Sequence, residues 1–231
     1  MLQPLQILEQ YWGHTSFRPN QQKIIEAVLE NEDCLALLPT GGGKSVCFQI
    51  PALIKEGICI VISPLIALMQ DQVANLNKKG IKAMVLTNVD YNSELERVLD
   101  NCIFGNYKFL YISPERLENK LVQARIKSMK VSLIAVDEAH CISLWGQDFR
   151  PAYRNIKTLR TLCPQTAVIA LTATATKHVI KDITEQLGFL GPKVFKSSFF
   201  RPNLSYHSIT IEDPQHKTIC LIKKVKSSAI I

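Results

Sequence analysis

No two of the seven cysteines in this 231-residue chain form a Cys-x-x-Cys pair; they lie scattered at 34, 47, 59, 102, 141, 163 and 220. That spacing speaks against a zinc site, and the odd count speaks against a disulfide framework. Buried, reduced thiols are the expected state. The start, Met1-Leu2-Gln3-Pro4, lacks a basic-then-apolar leader pattern. The longest nearly apolar stretch, Ile58 to Met69, contains Ser63-Pro64 and is too short to span a bilayer. An intracellular protein with no membrane partner is expected. Repeats and low-complexity tracts are absent from the sequence. Acidic residues are the minority charge, 20 against 27 Lys plus Arg, for a net +7. That excess suits a polyanionic partner, although solvated lysine faces give the same total. What remains is 47% apolar and 20% charged, the balance of a globular chain with an ample core.

The most informative stretch present is Leu38-Pro39-Thr40-Gly41-Gly42-Gly43-Lys44-Ser45. It follows the apolar run Cys34–Leu38 and precedes a helical pattern. A strand, a glycine loop and a helix start together form a phosphate cradle. Backbone N–H groups of Thr40 to Gly43 point inward, the helix N-terminus favours an anion, and Lys44 reaches the terminal phosphates. Ser45 offers its hydroxyl to Mg²⁺. Leucine at 38 replaces the glycine of the strict pattern, leaving the looser form with Gly41, Gly43, Lys44 and Ser45.

A second site lies far downstream. Ser132 to Val136 is a short apolar run ending in Asp137-Glu138-Ala139-His140. Carboxylates at the C-terminal end of a buried strand stand where α/β sheets bind ligands. Asp137 is placed to hold Mg²⁺, and Glu138 to orient an attacking water. No second histidine follows His140 at helical spacing, which removes a zinc-protease reading.

Apolar strands are expected at Cys34–Leu38, Ile58–Ile62, Ala83–Leu86, Phe109–Ile112, Leu133–Val136 and Ala167–Leu171. Helical periodicity lies between them, through Leu65, Leu68, Met69, Gln72, Val73 and Leu76 and again through Leu95, Val98, Leu99 and Ile103. Asn92-Ser93 with Glu96 is a start signal for the second helix. This alternation predicts an α/β fold, a mainly parallel sheet with helices on both faces. Ser63-Pro64 with Gln70, Ser113-Pro114, and Thr172-Ala173-Thr174 follow predicted strands. Each alone is an ordinary strand-to-helix turn. Together they ring the edge that carries the phosphate loop, and small hydroxyl residues there suit a phosphate backbone. Cys141 to Tyr153 is an aromatic loop directly after the acids. Trp145 and Phe149 are suited to stack on bases and Arg150 to meet phosphate. The competing expectation is a loop that buries its own aromatics.

With these motifs assembled, the chain resembles the RecQ family of DNA helicases over nearly its whole length. Phe17-Arg18-Pro19-Asn20-Gln21 resembles that family's adenine-recognition motif, Pro39–Ser45 its phosphate loop and Asp137–His140 its DExH box. Trp145–Pro151 resembles its aromatic-rich loop, and Phe200-Arg201-Pro202-Asn203-Leu204 the motif closing its first lobe. Gln147 stands where the family usually has histidine; glutamine hydrogen-bonds but carries no proton. The resemblance implies a RecA-like P-loop NTPase lobe over 1–210, then a linker and the first elements of a truncated second lobe over 211–231. It implies ATP and Mg²⁺ as cofactors, no zinc, and hydrolysis that drives 3′-to-5′ movement on DNA. Gln21, helped by Arg18, contacts adenine in that scheme. His140, Thr172 and Thr174 link nucleotide to DNA, and Arg201 is a further DNA contact. The expected partners are single-stranded DNA, duplex junctions and a second helicase lobe, in a bacterial cytoplasm or nucleoid or a eukaryotic nucleus. Part of a longer protein is expected, with little activity by itself. An RNA helicase of the DEAH group, or a non-catalytic ATP- or nucleic-acid-binding module, are the alternatives.

Overall fold

The computed structural model describes residues 3–86, 92–146 and 148–198, and of the remainder 204, 205, 208, 210 and 212–224. The chain divides into two compact units, Met1–Phe199 and Phe200–Ile231. Gln147, the 200–203 part of the lobe-closing motif with Arg201, and the 225–231 end of the 211–231 segment lie outside the described residues.

Unit one is built on seven strands: β1 (Cys34–Leu37), β2 (Ile58–Ile62), β3 (Ala83–Leu86), β4 (Phe109–Ile112), β5 (Val131–Val136), β6 (Val168–Thr172) and β7 (Lys193–Lys196). Their order is β3-β4-β2-β5-β6-β1-β7, and every pairing is parallel. Helices α1 (Pro4–Trp12), α2 (Gln21–Leu29), α3 (Lys44–Ile54), α4 (Ile66–Lys78), α5 (Asn92–Phe104), α6 (Lys120–Ser128), α7 (Lys157–Leu162) and α8 (Lys177–Gln186) connect them, with 3₁₀ turns at Pro114–Glu118, Ala139–Ile142 and Pro151–Ile156. Unit two contains α9 (Pro214–Lys224).

Six strands fall where the apolar runs placed them, because a parallel strand covered by packed helices reads as a near-continuous apolar run. All residues of β1, β2, β4 and β6 are buried. Alternate side chains feed two cores, Leu35, Ile60 and Ile134 on one face and Ala36, Cys59 and Leu133 on the other. Burial of one such aliphatic side chain is worth roughly 1.5–3 kcal/mol. A seventh strand escapes the sequence pattern. β7, Lys-Val-Phe-Lys, is an edge strand with only Phe195 partly buried. Since every strand runs the same way, the C-terminal ends of β1, β2, β5 and β6 open on one rim, where the phosphate loop and the acids sit.

Burial holds six cysteines away from water, leaving Cys220 half-buried on α9. Desolvation pushes the thiols of Cys34, Cys47 and Cys102 up to about 12 and that of Cys141 to about 11. A thiol titrating near 12 has a thiolate fraction on the order of 10⁻⁴ at pH 8. A disulfide-exchange reagent at pH 8 is therefore expected to label one thiol quickly, Cys220, and the other six only after denaturation. Several fast thiols in the native chain would contradict the described burial.

Candidate nucleotide site

The phosphate loop runs from β1 into α3. Leu38 N–H donates to the Thr172 carbonyl at 3.1 Å, so the loop leaves a strand already anchored to β6. Gly43, the residue before α3, has φ 76°, a left-handed value that glycine adopts without strain. A Cβ there would lie 2.3 Å from Gln21 Nε2. A Cβ on Gly42 would lie 2.7 Å from the Pro39 carbonyl oxygen. The loop therefore needs both glycines for close approach as well as for turning.

The segment Phe17–Gln21 is brought against this loop. Gln21 is buried, and its Oε1 accepts from the Arg18 backbone N–H at 2.9 Å. Its Nε2 donates to the carbonyls of Gly42 at 3.3 Å and Gly43 at 3.1 Å. Arg18 Nη1 donates to the Gly41 carbonyl. Beside them opens a cavity of about 690 Å³, lined by His14, Phe17, Arg18, Gln21, Lys44 and Ser45 among others. Ligand cavities commonly span roughly 300–1,000 Å³. A smaller hollow of about 530 Å³ at the opposite sheet end, near Arg160 and Lys193, is remote from these motifs.

The acids arrive from β5. Asp137 N–H donates to the Ile62 carbonyl at 2.8 Å, fixing the turn to β2. Glu138 has φ 46° and ψ 45°, an unusual conformation for a non-glycine residue. That turn brings Glu138 Oε1 to 3.3 Å from Lys44 Nζ and Oε2 to 3.3 Å from His140 Nδ1. His140 Nδ1 also lies 2.9 Å from Thr172 Oγ1. Thr172 Oγ1 donates to the Thr174 carbonyl and accepts from the Thr174 N–H. Its proton is thus committed, which assigns a proton to His140 Nδ1. Lys44, Glu138, His140, Thr172 and Thr174 form one continuous polar chain across β1, β5 and β6.

Asp137 is 6% exposed and is pushed up to about 6, first by burial and then by the neighbouring Glu138 charge, with Lys44 opposing. An unfolded aspartate titrates near ~3.9. The folded chain therefore holds the proton more tightly, and ionising Asp137 costs stability as pH rises from about 4 to about 6. Asp137→Asn keeps an acceptor for the Glu138 N–H, a bond now 3.0 Å long. In metal-free buffer at pH 7 it is expected to stabilise the chain by about 1–3 kcal/mol, with the gain fading towards pH 4. Denaturant unfolding at both pH values checks this; a gain equal at both would sink the burial argument.

The remaining expected residues divide. Trp145 is 77% exposed, with Leu144 beside it. Phe149 is half-buried, with the Arg154 guanidinium 5.4 Å from its ring centre. Arg150 Nη1 donates to the Pro64 carbonyl at 3.0 Å, tying the loop to the end of β2. Ser63 is buried, and its Oγ finds no hydrogen-bond partner among the described residues; Gln70 is exposed on α4. Thr172 is buried and Thr174 exposed. Thr40 and Ser45 lie in the loop and the first turn of α3. Tyr153 carries no motif signal of its own. It is fully buried, and its hydroxyl donates to the Asp137 carbonyl at 2.9 Å.

Residues 18–183 match the family model described as DEAD/DEAH box helicase. The chain belongs to the DEAD/DEAH box helicase family. A curated relative, "ATP-dependent DNA helicase RecQ" of Pasteurella multocida, is 44% identical over 202 residues, covering 87% of this chain and 32% of the relative. Another, "Putative ATP-dependent RNA helicase R290" of Acanthamoeba polyphaga mimivirus, is 41% identical over 231 residues, covering 97% of this chain and 41% of that one. This helicase chain thus spans less than half the length of either. The crystal structure of the helicase MrfA bound to DNA and AMPPNP shares the fold, with TM-score 0.67 at 19% identity, over 86% of this chain and 29% of that one. No helix among the described residues is long and apolar enough to cross a membrane.

Proposed function

We propose that this helicase chain is the ATP-binding lobe of a RecQ-like, DNA-stimulated motor that moves 3′ to 5′. The observation that carries the reading is the 3.3 Å pairing of Lys44 with Glu138, which joins two motifs far apart in sequence beside a nucleotide-sized cavity. Ser45 and Asp137 supply hard oxygen donors, a set that fits Mg²⁺. Bound there, the ion neutralises charge on the phosphate oxygens.

In the free chain Lys44 is occupied by Glu138. When phosphates enter, Lys44 turns to them and Glu138 is released to orient the attacking water. His140 keeps Glu138 aligned through the same Nδ1 region that touches Thr172. Gln21 holds the loop by its amide, with the adenine edge expected on the neighbouring cavity wall. A second lobe completes the site. Without an arginine finger from such a lobe, phosphoryl transfer loses ~10³–10⁵ in rate, so this lobe alone is expected to hydrolyse little.

Trp145 and its loop serve as the nucleic-acid contact. In the protein extended through a second lobe, ATP hydrolysis should rise with single-stranded DNA and far less with RNA of equal length. Trp145→Ala should remove most of that rise while the melting temperature stays close, since so exposed a ring contributes little packing. A buried tryptophan would instead cost about 3–5 kcal/mol. Stimulation by RNA above that by DNA would favour the activity named for the mimivirus relative. Full DNA stimulation of Trp145→Ala would defeat the role of the loop.

A further inference from the structure

The exposed tryptophan sits on a loop whose base is held by two residues that no motif marks. Ser143 is buried, and its Oγ donates to Asp182 Oδ2 on α8 at 2.6 Å. The same oxygen accepts the backbone N–H of Trp145 at 3.1 Å. A hydroxyl has one proton and two lone pairs. With the proton committed to the carboxylate, the oxygen is oriented to receive Trp145. Gly146 N–H closes the turn on the Ser143 carbonyl at 3.0 Å. A Cβ on Gly146 would lie 2.3 Å from the His140 carbonyl oxygen, so the turn is folded tightly against the acid-bearing segment.

α8 is also the helix that follows the Thr172–Thr174 turn. Its first turn is capped by Thr176, whose side chain accepts from Val179 N–H at 3.4 Å. Val179 and Ile183 of α8 lie in the same core cluster as Ala139, Cys141 and Ile142. The 139–143 segment is therefore bridged twice to the segment running from β6 into α8. One bridge is His140 to Thr172, next to the nucleotide acids. The other is Ser143 to Asp182, next to the exposed tryptophan.

We propose that Ser143 and Asp182 are positioning residues that set the presentation of Trp145, so that movement of α8 with the Thr172–Thr174 turn is delivered to the nucleic-acid loop. The clamp stands on geometry alone; its consequence for DNA rests on the function proposed above. A short hydroxyl-to-carboxylate hydrogen bond is among the stronger kinds a side chain makes.

Two measurements separate the claims. In this chain with Trp12→Phe, Trp145 is the remaining tryptophan. Asp182→Ala and Ser143→Ala should each lower its fluorescence anisotropy and raise its quenching by acrylamide. Asp182→Asn, which keeps an acceptor for the Ser143 hydroxyl, should restore most of both. In the protein extended through a second lobe, Asp182→Ala should raise the DNA concentration for half-maximal ATPase stimulation by ~10-fold, about the worth of one such hydrogen bond. Hydrolysis without DNA should stay within about twofold, whereas a merely structural role would lower it together with the melting temperature. Unchanged Trp145 anisotropy in both alanine variants would overturn the clamp. A parent protein that DNA does not stimulate would overturn the functional reading, with the fluorescence comparison still deciding the clamp.

Discussion

Lys44→Ala is expected to lower ATP hydrolysis by at least ~10²-fold in the protein extended through a second lobe, the cost typical of losing one fixed charge or donor at a developing anion. The side chain begins α3 and points across the rim to Glu138 rather than into either core. Folding should therefore be nearly indifferent. Removing the ammonium relieves no packing and leaves Glu138 in contact with His140. A melting temperature within a few degrees of the parent, together with collapsed hydrolysis and nucleotide affinity, is the expected pair of results. Hydrolysis at the parent rate would remove the phosphate-loop assignment altogether.

Glu138→Gln should separate binding from turnover. Lys44, Ser45 and Asp137 stay in place, so affinity for Mg²⁺-ATP should move by no more than a few-fold. Turnover should fall by ~10²–10⁴, the usual worth of a positioned base. Glutamine also cannot satisfy both neighbours of Glu138. Its amide oxygen can accept from Lys44 or from His140 Nδ1–H, but its NH₂ group repels whichever donor remains. Rapid-quench hydrolysis alongside equilibrium nucleotide binding makes the comparison. Affinity that drops in step with the rate would make Glu138 a binding residue.

The sheet was legible because β1, β2, β4 and β6 are buried along their whole length, where an uninterrupted run such as Ile58–Ile62 needs no polar alternation, and β3 and β5 keep apolar runs although partly exposed. β7 was not, since Lys193 and Lys196 flank only two apolar residues on an open edge. The phosphate-loop and acid motifs stood out because phosphate chemistry demands glycine, lysine and acid at fixed spacing, and the fold brings Lys44 and Glu138 together. The aromatic loop was only half legible. Sequence set exposure against burial for the whole stretch from Cys141 to Tyr153, and the structure divides it, exposing Trp145 and burying Tyr153. Ser63 was expected to face a phosphate backbone, yet its side chain is buried. Burial of that kind depends on how the β2 end meets the Arg150 loop, a contact between distant residues that no local pattern reports. Ser143 and Asp182 were missed for the same reason, being common residue types joined only by the fold.

The strand order has a consequence for assembly in time. β1, which carries the phosphate loop, pairs with β6 and β7 and with none of β2 to β5, Cys34 facing Ile169 and Lys193. β2, β3 and β4 can pair among themselves as soon as they exist. The nucleotide cradle must wait for a contact across most of the chain, and closing so long a loop is entropically costly and slow. On a ribosome the cradle cannot form until β6 has emerged. ATP is therefore a ligand of the finished lobe and offers no help to the nascent one, so added nucleotide should slow unfolding without hastening refolding.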